Sequence, residues 1–131
     1  MLNLILPYPP SVNQYYRMWR GRIVKSPKGT SYAKDVAYYC RNEGIRVELD
    51  CRLKVDILVF PPDNRRRDLD NVLKAILDSL EDAKVFKDDS LIDDLRVRRM
   101  NTFKDGKIEI GIEIIELCDE EGTADGKTEK V

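Results

Sequence analysis

The 131-residue sequence contains no histidine. Histidine is the usual general base and metal ligand near neutral pH, because its unperturbed pKa is about 6.5. Its absence excludes catalytic triads built on imidazole and zinc sites built on histidine nitrogen. If the chain is an enzyme, its base is a carboxylate, a lysine or a water activated by a metal ion.

Cysteine is scarce. The three cysteines are Cys40, Cys51 and Cys118, and no two of them form a C-x-x-C pair. An odd number without paired spacing indicates neither a disulfide framework nor a zinc site. We therefore expect free thiols, which are typical of a reducing compartment, and a cytoplasmic protein.

Long hydrophobic runs are also missing. The opening segment MLNLILPYPP has a short apolar run with no basic segment before it, and prolines follow at once. Because a membrane-spanning helix needs about 20 apolar residues, we expect neither a signal peptide nor a membrane span.

Charge of one sign is not in excess, since 23 basic and 24 acidic residues give a formal net charge of −1. The charges are nevertheless unevenly placed. Residues 1–46 carry eight basic and two acidic side chains, a local balance of +6, whereas residues 117–131 carry two basic and five acidic ones. A basic N-terminal third indicates a polyanion-binding surface, although chance produces the same distribution.

The length suits one globular domain with a single core. Hydrophobic alternation and helical periodicity predict an α+β fold, in which a mixed β-sheet packs with two main helices in the order β-α-β-α-β-β. The predicted strands and helices are strand 2–6, helix 31–44, strand 52–60, a helix that begins near residue 70, and strands 91–100 and 107–117.

The connections carry weaker signals. Residues 11–30 predict an ordered loop with a small hairpin, and the sequence KDG (104–106) predicts a hairpin turn between the last two strands. We expect the domain to cover residues 1–117. The acidic, glycine-interrupted tail over residues 118–131 is expected to be disordered.

The segment NRRRDLDNVLKAILDSL (64–80) brings together dense charges of both signs. Asp68 and Asp70 stand at the start of a helix, where free N–H groups favour anions, and an ordinary cap explains one of them equally well. Lys74 follows Asp70 by one helical turn, which also fits a surface ion pair of about 0.3–0.5 kcal/mol. The helix itself is predicted by an apolar stripe: Leu69, Val72, Leu73, Ile76, Leu77 and Leu80.

A second acidic pair, Asp88 and Asp89, lies in the connection that follows this helix. Aspartates are common in turns because their side chains bond nearby backbone groups. If the next strand joins the same sheet and the connection returns toward the start of the helix, we expect one of these two carboxylates to join Asp68 and Asp70.

Three carboxylates without histidine or paired cysteine favour a hard cation with oxygen ligands, so the expected ion is Mg²⁺, with Mn²⁺ as a substitute. Such an ion neutralises charge on a phosphoryl oxygen. Lys74 suits polarisation of the attacking water or stabilisation of charge on phosphorus. The guanidinium groups of Arg65, Arg66 and Arg67 suit a bidentate grip on neighbouring phosphates.

Aromatic and basic residues alternate near the N-terminus. Tyr15 and Tyr16 are followed by Arg17, Arg20 and Arg22, a mixture suited to phosphate contact and to stacking on unpaired bases. The alternative is that the tyrosines belong to the core and the arginines are merely solvated.

Three motifs together resemble the RusA family of Holliday junction resolvases, found in bacteria and often in prophages. They are RRRDLDNVLKAILDSL, VFKDDSLI and the N-terminal LPYPPSVNQYYR. The likeness covers about residues 2–116. Leu91 stands where many relatives carry glutamine, so a contact made by that side chain is not carried over.

The resemblance implies a Mg²⁺-dependent homodimeric endonuclease that nicks four-way DNA junctions symmetrically and leaves ligatable ends. It implies that Asp68, Asp70, Lys74 and Asp89 are catalytic and that the three aspartates hold the metal. From the residues and the resemblance together, we expect DNA contacts from Asn13, Tyr15, Tyr16, Arg17, Arg20, Arg22, Arg65, Arg66 and Arg67.

The expected partners are four-way junction DNA and a second copy of the chain, without a membrane and without a nucleotide cofactor. Two other functions remain open. One is a metal-dependent nuclease without junction preference, and the other is a non-catalytic DNA-binding module whose acidic cluster is structural. Loss of cutting with retained binding in Asp70→Asn distinguishes an enzyme from a binding module.

Overall fold

The computed structural model describes residues 1–115, so Cys118 and the predicted tail over 118–131 lie outside the described residues. The α+β class is confirmed, with two main helices and one single-turn helix. The elements are β1 (Leu2–Leu6), α1 (Val12–Tyr15), β2 (Tyr16–Trp19), β3 (Arg22–Lys25), α2 (Pro27–Asn42), β4 (Leu53–Phe60), α3 (Asp70–Asp82), a 3₁₀ turn (Asp89–Leu91), β5 (Ile92–Arg99) and β6 (Lys107–Ile114).

Four strands form one mixed sheet in the order β1-β6-β4-β5. Strand β5 runs parallel to β4, as a connection through a helix requires, whereas β6 is antiparallel to both β4 and β1. The predicted hairpin between β5 and β6 is therefore wrong. A turn does form at Asp105 and Gly106, which both have positive φ, but β5 occupies one side of β4, so β6 pairs on the other side.

One face of the sheet carries the core. Along β4, alternate side chains from Leu53 to Val59 are fully buried, and each contributes about 1.5–3 kcal/mol. Their neighbours on the opposite face, such as Leu58 and Phe60, are half-buried. Helix α3 packs on the core face through the predicted apolar stripe, from Val72 to Leu80. Within residues 1–115, the helices therefore cover only one side of the sheet.

Helix α2 begins at Pro27, one turn before the predicted start at Ser31. Ser26 is the N-cap, because its Oγ accepts a hydrogen bond from the amide of Gly29 at 3.0 Å. Proline suits the first helical position, where its missing N–H costs nothing. Gly29 fits because the helix passes against the backbone of Tyr15.

The small hairpin predicted within residues 11–30 is confirmed. Strands β2 and β3 pair antiparallel from Tyr16↔Lys25 to Trp19↔Arg22. The two turn residues, Arg20 and Gly21, have φ angles of 51° and 73°, as a tight hairpin turn requires.

The cysteines differ in state. Cys40 is buried and free, as expected. The expectation of a free thiol is wrong for Cys51, which is disulfide-bonded. An odd cysteine count still allows one pair, and spacing along the sequence does not report distance in the fold. As for a membrane, no helix in residues 1–115 is long and apolar enough to span one.

Candidate functional site

The loop between β4 and α3 holds the three consecutive arginines, and Asp63 organises two of them. The Asp63 carboxylate accepts hydrogen bonds from the Arg67 side chain at 2.6 Å and from the Arg65 amide at 2.9 Å. These bonds hold the pKa of the Asp63 carboxyl well below its ordinary value. The Arg67 guanidinium also lies 5.9 Å from the centre of the Tyr8 ring. The loop is therefore fixed from within, while the side chain of Arg66 is exposed.

A cavity of about 450 Å³ opens beside this loop. Its rim includes Arg65, Arg66 and Arg67, together with Tyr8 and Arg99. Arg99 donates a hydrogen bond to the carbonyl of Arg67. Planar guanidinium groups around a concave surface suit bidentate recognition of phosphate. Three residues beside this cavity were not predicted from the sequence: Tyr8, Asp63 and Arg99. Of these, only Asp63 could have been found, because its spacing of four residues from Arg67 is compatible with an ion pair.

Asp68 and Asp70 lie at the start of α3, as predicted. Helix α3 begins at Asp70, and both aspartates are exposed. The carbonyl of Asp68 accepts the amide of Asn71 at 3.2 Å, but within residues 1–115 neither carboxylate forms a hydrogen bond or an ion pair. Both are therefore available to a cation or to solvent, beside the free N–H groups of the first helical turn.

Lys74 has a different partner from the one that the sequence favoured. Its Nζ lies 3.3 Å from the Asp78 carboxylate, one turn after Lys74, and it does not pair with Asp70. The same Nζ lies 5.3 Å from the centre of the Tyr16 ring. Spacing of four residues in either direction places an acidic residue on the same helix face as Lys74. The order with the acidic residue first, as in Asp70, is the more favourable one in an isolated helix, so the pairing with Asp78 is set by the surroundings of the helix.

An acidic cluster lies at the other end of α3. Carboxylate oxygens of Glu81, Asp88 and Asp89 all come within 4.8 Å of one another. The amide of Asp89 donates to Glu81 at 3.3 Å, and Asp88 caps the 3₁₀ turn by accepting the amide of Ser90 at 3.0 Å. The spacing of these oxygens suits a hard divalent cation.

The same acidic end perturbs Asp78. Burial and the nearby charges of Asp89, Glu81 and Asp82 raise the pKa of Asp78 to about 6, even though Lys74 lies beside it. Like charges held together in a half-buried place favour protonation or a bound cation. Sequence reasoning missed both Asp78 and Glu81, because a single acidic residue on a helix has no distinguishing pattern.

Within one copy of the chain, Asp89 does not join Asp68 and Asp70. Asp89 comes just before Ile92 at the start of β5, whereas the loop that carries Asp68 is held by Arg99 at the end of that strand. An eight-residue strand spans about 23 Å between its terminal Cα atoms. The connection after α3 leads away from the start of the helix, because α3 is antiparallel to both β4 and β5.

The hairpin β2–β3 packs beside α3. Tyr16 contacts Lys74, and Lys25 forms a salt bridge with Asp82. Tyr16 is half-buried, and its buried Oη has no hydrogen-bond partner within the described chain. Tyr15 has no exposed surface, so the prediction that Tyr15 contacts DNA does not fit this structure.

The basic residues of the hairpin face solvent. The exposed residues are Arg17, Arg20 and Arg22. Asn13, which lies on α1, is exposed as well. Trp19 is 46% exposed, and the Arg20 guanidinium lies 4.5 Å from the centre of its ring. The hairpin therefore offers cations and one aromatic surface beside α3, which it contacts through the Lys25–Asp82 salt bridge.

The acidic side chains at both ends of α3 offer carboxylate oxygens, which fit Mg²⁺ or Mn²⁺ better than zinc. The fold and its candidate site together define a class: an α+β domain with an arginine-lined cavity and exposed carboxylates that can hold a hard cation. Such a combination is typical of proteins that act on phosphodiesters.

Comparison with known proteins gives the family. The family described as Endodeoxyribonuclease RusA matches residues 7–113. The chain is 42% identical over 113 residues to the crossover junction endodeoxyribonuclease of Enterobacteria phage HK97, covering 86% of this chain and 92% of that protein. It is 42% identical over 118 residues to the enzyme of the same name from Escherichia coli O139:H28, covering 90% and 97%.

The corresponding protein of Escherichia coli strain K12 is 41% identical over 110 residues, with 84% of this chain and 92% of that protein covered. The chain belongs to the RusA endodeoxyribonuclease family. The resemblance seen in the sequence motifs is thereby confirmed over nearly all of the described residues.

Proposed function

We propose that this protein is a structure-selective endonuclease that resolves four-way DNA junctions by paired symmetric nicks in the cytoplasm. The observation that carries the proposal is the family match over residues 7–113, which contain every residue assigned to the site. In each nick, water adds to phosphorus and the bond to O3′ breaks. The products are a 5′-phosphate and a 3′-hydroxyl, which a ligase can rejoin.

The DNA backbone is bound by two groups of arginines. Arg66 and its neighbours at the cavity hold phosphates near the scissile bond, and Arg17, Arg20 and Arg22 of the hairpin hold an adjoining arm. Phosphate contacts of this kind position the DNA without reading its sequence. They also make affinity fall steeply with salt, because each neutralised phosphate releases counterions.

The proposed metal ligands are Asp68, Asp70 and Asp89, with Mg²⁺ as the ion. Because one copy of the chain keeps Asp89 at the far end of β5, we propose that the set is completed by Asp89 of a second copy. When bound, the ion supplies charge neutralisation at the phosphoryl oxygen and acidifies water. Each carboxylate is exposed, so a second copy can reach it.

Lys74 acts on the substrate from the middle of α3. Its side chain is 61% exposed, and its ammonium group is positioned by Asp78 and by the Tyr16 ring. We assign it stabilisation of the charge that develops on the phosphate oxygens. Asp78 orients Lys74 and is a positioning residue.

A homodimer follows from the symmetry of the reaction. Two strands of a four-way junction are related by a two-fold axis, so two cuts need two equivalent sites related by the same axis. A dimer with one site completed at each side of the axis meets this requirement.

Cleavage of a labelled four-way junction and of a matched linear duplex tests the proposal. We expect nicks in the junction with Mg²⁺, and none with chelator. Asp70→Asn should bind the junction without cutting it, and Asp35→Asn, a change at an exposed site on α2, is the matched control. Junction binding without cutting by the wild type identifies a binding module, and equal cutting of the duplex identifies a nuclease without junction preference.

A further inference from the structure

Strand β5 is an edge of the sheet. It pairs with β4 on one side, and among residues 1–115 no strand pairs with its other side. It runs from Ile92 to Arg99; its register with β4 shifts at Asp93 and is regular from Asp94 to Arg99. An uncovered strand of this length presents a row of free N–H and C=O groups, which proteins normally cover, shorten or protect with charge.

The charges along β5 are segregated by sign. Asp93 and Asp94 lie in its first half, and Arg96, Arg98 and Arg99 lie in its second half. Two parallel copies would set like charges side by side. Two antiparallel copies would set aspartates against arginines, so the strand is complementary to itself in one orientation alone.

Two of these charges already have partners within the chain. Asp93 accepts hydrogen bonds from Arg52, and Arg99 donates to the carbonyl of Arg67. Asp94 and Arg98 are exposed and form no hydrogen bond or ion pair within the described part of the chain. They are therefore the pair that a second strand can satisfy.

An antiparallel register centred on Arg96 brings Asp94 and Arg98 of the two copies together. It places Asp94 opposite Arg98 of the other copy, and Leu95 opposite Val97 of the other copy. Leu95 is 40% exposed although it lies on the core face of the sheet, so this pairing covers an apolar side chain.

Arg96 meets its own copy in this register, and like charges would repel. Its neighbour on β4 is Asp56, whose Oδ1 is buried and has no partner within the described chain. Each Arg96 therefore has a carboxylate beside it that offsets the repulsion across the axis.

We propose that β5 pairs antiparallel with β5 of a second copy, so that two four-stranded sheets become one continuous sheet across a two-fold axis. This inference rests on the proposed homodimer and specifies its interface. The pairing also brings the Arg99 end of one strand beside the Ile92 end of the other. That is the arrangement that the proposed ligands Asp68, Asp70 and Asp89 require.

Reciprocal charge reversal tests the pairing, with dimer dissociation of the full chain measured by sedimentation equilibrium. Asp94→Arg and Arg98→Asp should each weaken the dimer by at least about tenfold, since each sets two like charges face to face at two symmetric positions. The double variant Asp94→Arg/Arg98→Asp restores opposite charges and should return to about the wild-type constant. Asp35→Arg, which makes the same change of charge on α2, should have no effect.

The outcomes separate the two proposals. A wild-type chain that stays monomeric overturns the homodimer and the pairing together. A dimer that both single reversals leave intact overturns the pairing and keeps the homodimer. Weakening that the double variant does not reverse overturns this register.

Circular dichroism checks that each variant is folded. Hydrogen exchange on the wild type gives a second measurement: amides of residues 92–99 should gain protection in the dimer, and equal exchange in dimer and monomer contradicts the pairing.

Discussion

The Nζ of Lys74 lies 3.3 Å from the carboxylate of Asp78, and this pair stands between the basic loop at one end of α3 and the acidic cluster at its other end. Two opposing effects therefore act on the pKa of Asp78. Lys74 favours its charged form, whereas burial and the charges of Asp89, Glu81 and Asp82 raise its pKa to about 6.

Asp78→Asn should stabilise the fold above pH 6 in the presence of chelator. A carboxyl whose pKa is raised on folding favours the folded state below its unfolded pKa of about 4, and this contribution is lost as pH rises through the folded pKa of about 6. We expect a gain of about 1 kcal/mol at neutral pH, after allowance for solvent screening, or a few degrees in Tm. Thermal unfolding as a function of pH measures it. If the gain in stability near pH 4 were as large as at neutral pH, it would contradict the raised pKa of Asp78.

Lys74→Gln should abolish most of the cutting and leave binding nearly unchanged. Removal of a cation that faces developing charge commonly costs about 10²-fold or more in rate. Single-turnover cleavage of a junction, with affinity measured separately, tests this. Lys87→Gln is the control, because Lys87 is equally exposed and lies in the connection after α3. If both variants lost the same fraction of the cleavage rate, the loss would come from the change in overall charge and not from the position of Lys74.

Arg66→Gln should weaken junction binding while Tm stays the same. Arg66 is exposed and borders the cavity, and it has no hydrogen bond or ion pair within residues 1–115. The slope of log K against log salt should fall by about one unit per lost phosphate contact. Titrations at several salt concentrations give the slope. An unchanged slope would remove Arg66 from the DNA interface.

Gly29→Ala should destabilise the domain. A Cβ at this position would lie 2.2 Å from the carbonyl oxygen of Tyr15, so α2 would have to move away from α1. Overpacking of this kind costs about 1–3 kcal/mol. Gly44→Ala is an informative comparison, since nothing lies within 4 Å of its Cβ position and its cost comes from its positive φ alone. Urea unfolding of both variants ranks them, and a neutral Gly29→Ala would contradict the packing.

Local signals in the sequence predicted local structure well. The periodicity of α3 and the alternation in β4 located both elements, because each pattern reports which side of an element is buried. The start of α3 at Asp70 followed from the same pattern. Helix α2 was placed one turn late because Ser31 and Ser26 are both acceptable N-caps, and Pro27 at the first helical position was the stronger signal.

Long-range relationships were harder to predict. The KDG turn is present, but strand order depends on which edge of β4 is free, so β5 and β6 are not neighbours. For the site, the sequence predicted the types of residue and Mg²⁺ as the ion, and both stay predictions. It did not place Asp89, since the direction of the connection after α3 is set by the sheet and not by the residues in that connection.

We propose that Asp68, Asp70 and Asp89 act together, although one copy of the chain holds them apart. Mixing two inactive variants, Asp70→Asn and Asp89→Asn, tests it most directly. If each site draws Asp70 from one copy and Asp89 from the other, a mixed dimer has one site with both substitutions and one site with neither.

We therefore predict that the mixture nicks one strand of a labelled four-way junction per mixed dimer, whereas each variant alone is inactive. Mixing each variant with itself under the same conditions is the control. If mixed dimers form, as shown by exchange between differently tagged chains, and the mixture still makes no nick, the three carboxylates do not form a site shared between two copies.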